Sequence, residues 1–108
     1  MPTGPTVVKL HSEAKAELQA SVSFYRERGG DQLGNRFKEH VEAAFRAILA
    51  NPERFPPTRD IPGVQKFRLK HFPFALLYIQ RPDHIWIVAV AHGSRKPRYW
   101  VHRVGREA

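Results

Sequence analysis

Two apolar runs near the C-terminal end, Phe74–Ile79 and Ile85–Val90, constrain this chain more than any other feature. Each is rich in aromatic and β-branched residues and too short for a buried helix, so each reads as a strand. Their spans are expected to be Phe74–Gln80 and His84–Ala91, joined by a turn at Arg81-Pro82-Asp83. Both are apolar on both faces and are therefore expected at the centre of the sheet. Upstream, Phe67 and Leu69 alternate with Lys66, Arg68 and Lys70, the period of a half-buried strand. Val7, Val8 and Leu10 form a further short strand at the start.

The segment between these strands is helical. Ala14, Leu18, Val22 and Tyr25 recur at spacings that place them on one helix face. Ser12 is positioned to cap that helix, and Gly29-Gly30 to stop it. Leu33, Phe37, Val41, Ala44, Phe45 and Ile48 make a second apolar stripe, opposite Lys38, Glu39, Glu42 and Arg46. With only Gly29, Gly30 and Asp31 between them, the two helices should fold back as an antiparallel hairpin. Asn51-Pro52 ends the second helix, and Pro56, Pro57 and Pro62 keep the following segment a loop. The expected class is α+β in the order β-α-α-β-β-β, a helical hairpin on a mostly antiparallel four-stranded sheet. At 108 residues the chain is one domain's worth, spanning 1–108.

Charge locates the surface of interest. The net charge is +8. Residues 1–65 hold nine Lys or Arg against eight Asp or Glu, a net of +1, whereas residues 66–108 hold nine against two, a net of +7. A polyanion or an acidic protein partner should bind the C-terminal part. There Lys66, Arg68 and Lys70 precede the central strands, and His92, Arg95, Lys96, Arg98, Tyr99 and Trp100 follow them.

Other chemistries are excluded or lack their residues. Without cysteine there is no disulfide, no thiolate metal site and no thiol nucleophile. The histidines at 11, 40, 71, 84, 92 and 102 form no metal-ligand spacing, so no metal and no cofactor is expected. Neither GxxxxGK[ST] nor GxGxxG occurs. No apolar run reaches the ~20 residues of a membrane helix, and Met1–Pro5 lacks the regions of a secretory signal, so a cytoplasmic protein is expected. Cations beside aromatics remain. Arginine binds phosphate, Tyr99 and Trp100 offer faces for unpaired bases, and the imidazole of His92 suits proton transfer. Such a set suits metal-independent cleavage of RNA by a 2′-hydroxyl, with Arg68, His92, Arg95 and Tyr99 as catalytic candidates. Equally, His92 caps a strand end, Trp100 packs the C-terminus onto the sheet, and Lys66, Arg68 and Lys70 solvate an edge strand.

The stretches AKAELQASVSFY, NRFKEHVEAAFRAILANPERFP, FRLKHFPFALLYI and IVAVAHGSRKPRYW, in this order, resemble the RelE/ParE superfamily, toxins of bacterial type II toxin–antitoxin pairs that include plasmid stabilisation proteins. The resemblance covers roughly Ser12 to Trp100, and the closing pattern of His92, Arg95, Pro97 and Trp100 is its most specific part. It implies the same β-α-α-β-β-β fold and growth inhibition relieved by an antitoxin with an acidic segment, in a homodimer or a heterotetramer with that antitoxin. RelE-like members cleave mRNA on the ribosome; ParE-like members poison DNA gyrase. The ribonucleases carry Tyr-Arg-x-x-Tyr on a strand, where this chain has Phe74-Ala75-Leu76-Leu77-Tyr78. Ala75 in place of the arginine favours the ParE-like form. The alternatives are a ribosome-dependent endoribonuclease using Arg68, His92, Arg95 and Tyr99, and a non-toxic nucleic-acid-binding regulatory domain. Target or antitoxin contacts are expected from Lys66, Arg68, Lys70, His92, Arg95, Lys96, Arg98, Tyr99 and Trp100.

Overall fold

A computed structural model describes residues 5–59 and 61–105; Met1–Gly4, Asp60 and residues 106–108 lie outside it. The elements run β1 (Val8–Leu10), α1 (Ser12–Ala50), β2 (Gln65–Arg68), β3 (Phe74–Gln80) and β4 (Ile85–His92), closed by a 3-10 turn at Val101–Arg103. The sheet order is β1-β4-β3-β2. Only the β1–β4 pair is parallel, so the sheet is mostly antiparallel. β3 and β4 lie at its centre, as their two-sided apolarity requires.

α1 is a helical hairpin rather than a straight rod. Gly29 (φ −136°, ψ 17°) and Gly30 (φ 78°, ψ −177°) leave the helical region. Gly30 occupies a conformation open in practice only to glycine. Twelve residues of straight helix would separate Tyr25 from Phe37 by about 18 Å. Their ring centroids are 5.0 Å apart, so the two arms lie side by side. The linker is shorter than expected, since Asp31 is already helical. Gly34 permits the close approach: a Cβ there would lie 2.4 Å from Arg26 Cγ and 3.3 Å from the Val22 carbonyl oxygen.

The helix starts one residue earlier than expected. His11, not Ser12, is the N-cap, and its Nδ1 accepts the Glu13 N–H at 3.1 Å. The His11 N–H donates to the Ile87 carbonyl at 2.9 Å. That sheet bond keeps His11 extended and hands the capping role to its side chain, while Ser12 is already helical.

Two apolar layers cover the sheet. On one face Phe37, Val41 and Ile48 of α1 pack against Leu76, Tyr78, Ile85 and Ile87. Phe37 is fully buried, with its ring 5.1 Å from Phe72 and 4.9 Å from Phe74; truncating such a side chain costs about 3–5 kcal/mol. On the other face Ala75, Leu77, Ile79, Trp86, Val88 and Ala89 pack with Val64 and Trp100. The chain beyond β4 therefore folds back over the sheet as a C-terminal strap. β4 serves both layers through a bulge. Leu77 pairs with Ala89 and Tyr78 with Ile87, which leaves Val88 without a β3 partner and places Val88 and Ala89 on the same face. Among the described residues no helix is long and apolar enough to cross a membrane.

Candidate functional site

The strap and the β2 edge form a cleft of about 450 Å³. Lys66 pairs with Leu77 and Arg68 with Ala75, so both cations share the face that the strap covers, while Phe67 turns into the α1 layer. They form one wall. The opposite wall is the end of β4, with His92, and the turn after it, which carries Arg95, Lys96 and Arg98. Leu69, Phe72, Phe74, Ala75 and Leu77 give the cleft an apolar floor, and no carboxylate is among its lining residues. The cleft thus joins Lys66, Arg68, His92, Arg95, Lys96, Arg98, Tyr99 and Trp100 from the sequence-predicted set. Lys70 stands apart, exposed beyond the end of β2. Among the described residues there is no cluster of three or more side chains able to hold a metal ion.

The turn is built by its own backbone. Arg95 N–H donates to the His92 carbonyl at 3.0 Å, and Val101 N–H to the Arg98 carbonyl at 3.0 Å. Arg98 has a positive φ of 67°. His92 Nδ1 accepts from the Ser94 N–H at 3.0 Å and lies 2.7 Å from Ser94 Oγ. This capping arrangement places the ring proton on Nε2. The His92 ring also meets Phe74 edge-on at 5.0 Å.

The aromatic residues of the cluster are already engaged. Trp100 is 4% exposed and packs in the second apolar layer, so it offers no face to a base. Over the Tyr99 ring sits the Arg95 guanidinium, 3.9 Å from the centroid, with that of Arg103 at 5.2 Å. The Tyr99 hydroxyl donates to Glu17 Oε2 at 2.6 Å. Burial, then the bond to that carboxylate, raise the Tyr99 pKa well above the ordinary phenol value, so it remains protonated near neutrality.

Glu17 and Arg103 complete the site, and sequence reasoning missed both. Arg103 is 5% exposed. Its two terminal nitrogens meet the Glu17 carboxylate at 2.9 and 3.1 Å, and its Nε lies 3.0 Å from Glu13 Oε2. Burial opposes the charge on Arg103, but Glu17, with Tyr99 and Glu13, together outweigh it and the net shift is upward. Arg95 also approaches Glu17, at 3.7 Å. The sequence held one faint pointer: Glu17 borders the Ala14–Leu18–Val22 stripe, where a carboxylate is poorly placed unless something pairs it.

Comparison with known proteins agrees with this architecture. The family described as ParE toxin of the type II toxin–antitoxin system, parDE, matches residues 8–97. A solved structure of the chromosomal ParDE toxin–antitoxin system from P. aeruginosa superimposes with a TM-score of 0.70 at 20% identity, over 81% of this chain and 95% of that one. At that identity the likeness shows the fold alone. None of the curated proteins searched matches the sequence. The family match runs from β1 into the basic turn after β4 and so includes Lys66, Arg68, His92, Arg95 and Lys96 of the cleft, while Arg98, Tyr99 and Trp100 lie beyond it. By that match, carried on the helical hairpin and four-stranded sheet just described, the chain belongs to the ParE toxin family of type II toxin–antitoxin systems.

Proposed function

We propose that this chain is a cytoplasmic toxin that works by binding a protein target, DNA gyrase in the ParE-like reading, and that an antitoxin silences it by laying an acidic segment in the cationic cleft. The observation that carries this reading is the cleft's composition. Cations stand on both walls above an apolar floor, while the two aromatics that would stack bases are engaged within the protein. An acidic peptide with interspersed apolar side chains matches such a surface in both charge and character. Stacking platforms for single-stranded nucleic acid are lacking there.

Gyrase supercoiling with purified protein tests the target. Inhibition, with trapped cleavage complexes, is expected, and an antitoxin encoded beside the gene should relieve it. Undisturbed supercoiling would count against the gyrase reading. The endoribonuclease reading retains one point in its favour, that Arg68, His92, Arg95 and Tyr99 share a single cleft. Primer extension on translated mRNA separates the two: discrete cuts lost in an Arg95→Ala, His92→Ala double variant would replace the binding mechanism with cleavage.

A further inference from the structure

We propose that Glu17 is a positioning residue for the cationic cleft, holding the strap that carries one cleft wall through Arg95, Tyr99 and Arg103. This inference rests on the reading that the cleft receives an acidic protein segment.

The sheet has a gap alongside the second half of β4. β1 ends at Leu10, and the last backbone bond on that side of β4 runs from His11 N–H to the Ile87 carbonyl. Further along β4 two backbone groups are met by side chains instead. Val90 N–H donates to Glu17 Oε1 at 3.0 Å, and the Val88 carbonyl accepts from Arg103 at 3.1 Å. The bulge at Val88 has already removed that residue from pairing with β3. The Glu17–Arg103 pair therefore supplies the acceptor and the donor that a neighbouring strand would have supplied.

The same carboxylate then reaches the strap. Its second oxygen accepts the Tyr99 hydroxyl at 2.6 Å and lies 3.7 Å from the Arg95 guanidinium. Tyr99 supports Arg95 from the ring side at 3.9 Å. Arg95 is thus held between an aromatic face and a carboxylate while half of its side chain remains exposed. A guanidinium fixed in this way presents its free donors without first losing rotamer freedom. Arg95 lines the cationic cleft and also an adjoining apolar groove of about 430 Å³, so its placement shapes both. Among the described residues, the direct hydrogen bond to Tyr99 and the direct ion pair to Arg95 from the N-terminal arm of α1 both come from Glu17.

Charge alone predicts the opposite behaviour, which makes the proposal testable by sign. A carboxylate beside a cationic site repels an acidic ligand, so removing it should strengthen binding if Glu17 were only a local charge. As a positioning residue, its removal should weaken binding despite the gain of one positive unit.

The experiment is fluorescence anisotropy with a labelled oligo-glutamate peptide at low salt, on the full chain as wild type, Glu17→Ala and Glu17→Gln. Glu17→Ala should bind about tenfold more weakly than wild type, the scale of a displaced binding group. Glu17→Gln keeps one oxygen, for Val90 N–H, and sets its amide nitrogen against the Tyr99 hydroxyl, which can accept from it, so its binding should fall between those of Glu17→Ala and wild type. Amide exchange at Val90 and Tyr99–Arg103 should quicken more in Glu17→Ala than in Glu17→Gln. Tighter or unchanged binding by Glu17→Ala overturns the proposal. If Glu17→Ala does not fold, Tyr99→Phe takes its place: about threefold weaker binding supports the proposal and no change overturns it. Failure of the wild type to bind the peptide would instead sink the reading of the cleft.

Discussion

Arg68 stands directly opposite Ala75 across the β2–β3 ladder, and both line the cationic cleft. The position where the RNA-cleaving relatives carry a strand arginine therefore already faces a guanidinium from the neighbouring strand. Ala75 is also 8% exposed, packed in the layer beneath the strap. An arginine at 75 must crowd that layer and sit beside a like charge. Overpacking costs about 1–3 kcal/mol, and like charges directly opposite add to the loss. Ala75→Arg should lower the thermal midpoint. Adding Arg68→Ala should recover part of the loss, and a double-mutant cycle on denaturant midpoints measures the coupling.

Arg98 trades stability for position. Its φ of 67° is a left-handed conformation that costs a side-chain-bearing residue about 1–2 kcal/mol. Glycine relieves that strain but gives back about 0.4–1 kcal/mol through its freer unfolded chain. Arg98→Gly should therefore stabilise the protein by roughly 0.5–1 kcal/mol in urea unfolding. In the same variant, binding of an acidic peptide should weaken, since a cation leaves the cleft wall. Lower stability would show that the strap does not impose the conformation.

Alkaline pH should loosen the fold through its tyrosines. Tyr78 is fully buried, donates to the Pro52 carbonyl at 2.6 Å and accepts from Gln65 at 3.1 Å. Burial pushes its pKa from 10.0 up to about 12. Tyr25 and Tyr99 shift in the same direction. Below the unfolded value, folded and unfolded chains bind the same phenol protons. Above it the unfolded chain releases them first, so stability falls as pH rises from about 10 through the folded pKa. Thermal melts between neutral pH and pH ~11 should show that decline. Tyr78→Phe should flatten its slope, while losing about 1–2 kcal/mol at neutral pH with the buried hydrogen bonds. An equally steep decline in the variant would remove Tyr78 as its source.

Much of this architecture was legible locally. β3 spans Phe74–Gln80 as its composition indicates, and β4 lies within one residue of expectation at each end. The hairpin was legible because Gly29-Gly30 interrupts two apolar stripes, and an apolar stripe at helical spacing has few other ways to be buried. The cationic wall was legible because period-two alternation on β2 necessarily points Lys66 and Arg68 the same way. Hidden from local reading were the bulge at Val88, the capping by His11 and the bond from Tyr99 to Glu17, whereas the packing of Trp100 onto the sheet was one of the readings its sequence position offered.

The sequence by itself determined which segments are helix and strand, which faces they bury, and that positive charge gathers after residue 65. These follow from periodicity and composition, which neighbouring residues carry between them. Only the tertiary structure decided that Glu17 meets Arg103 and Tyr99, partners 86 and 82 residues away. Neither end of such a contact restricts the backbone around it, so no local pattern records the pairing. It arises where β1 stops short of the end of β4 and leaves backbone groups that charged side chains must satisfy.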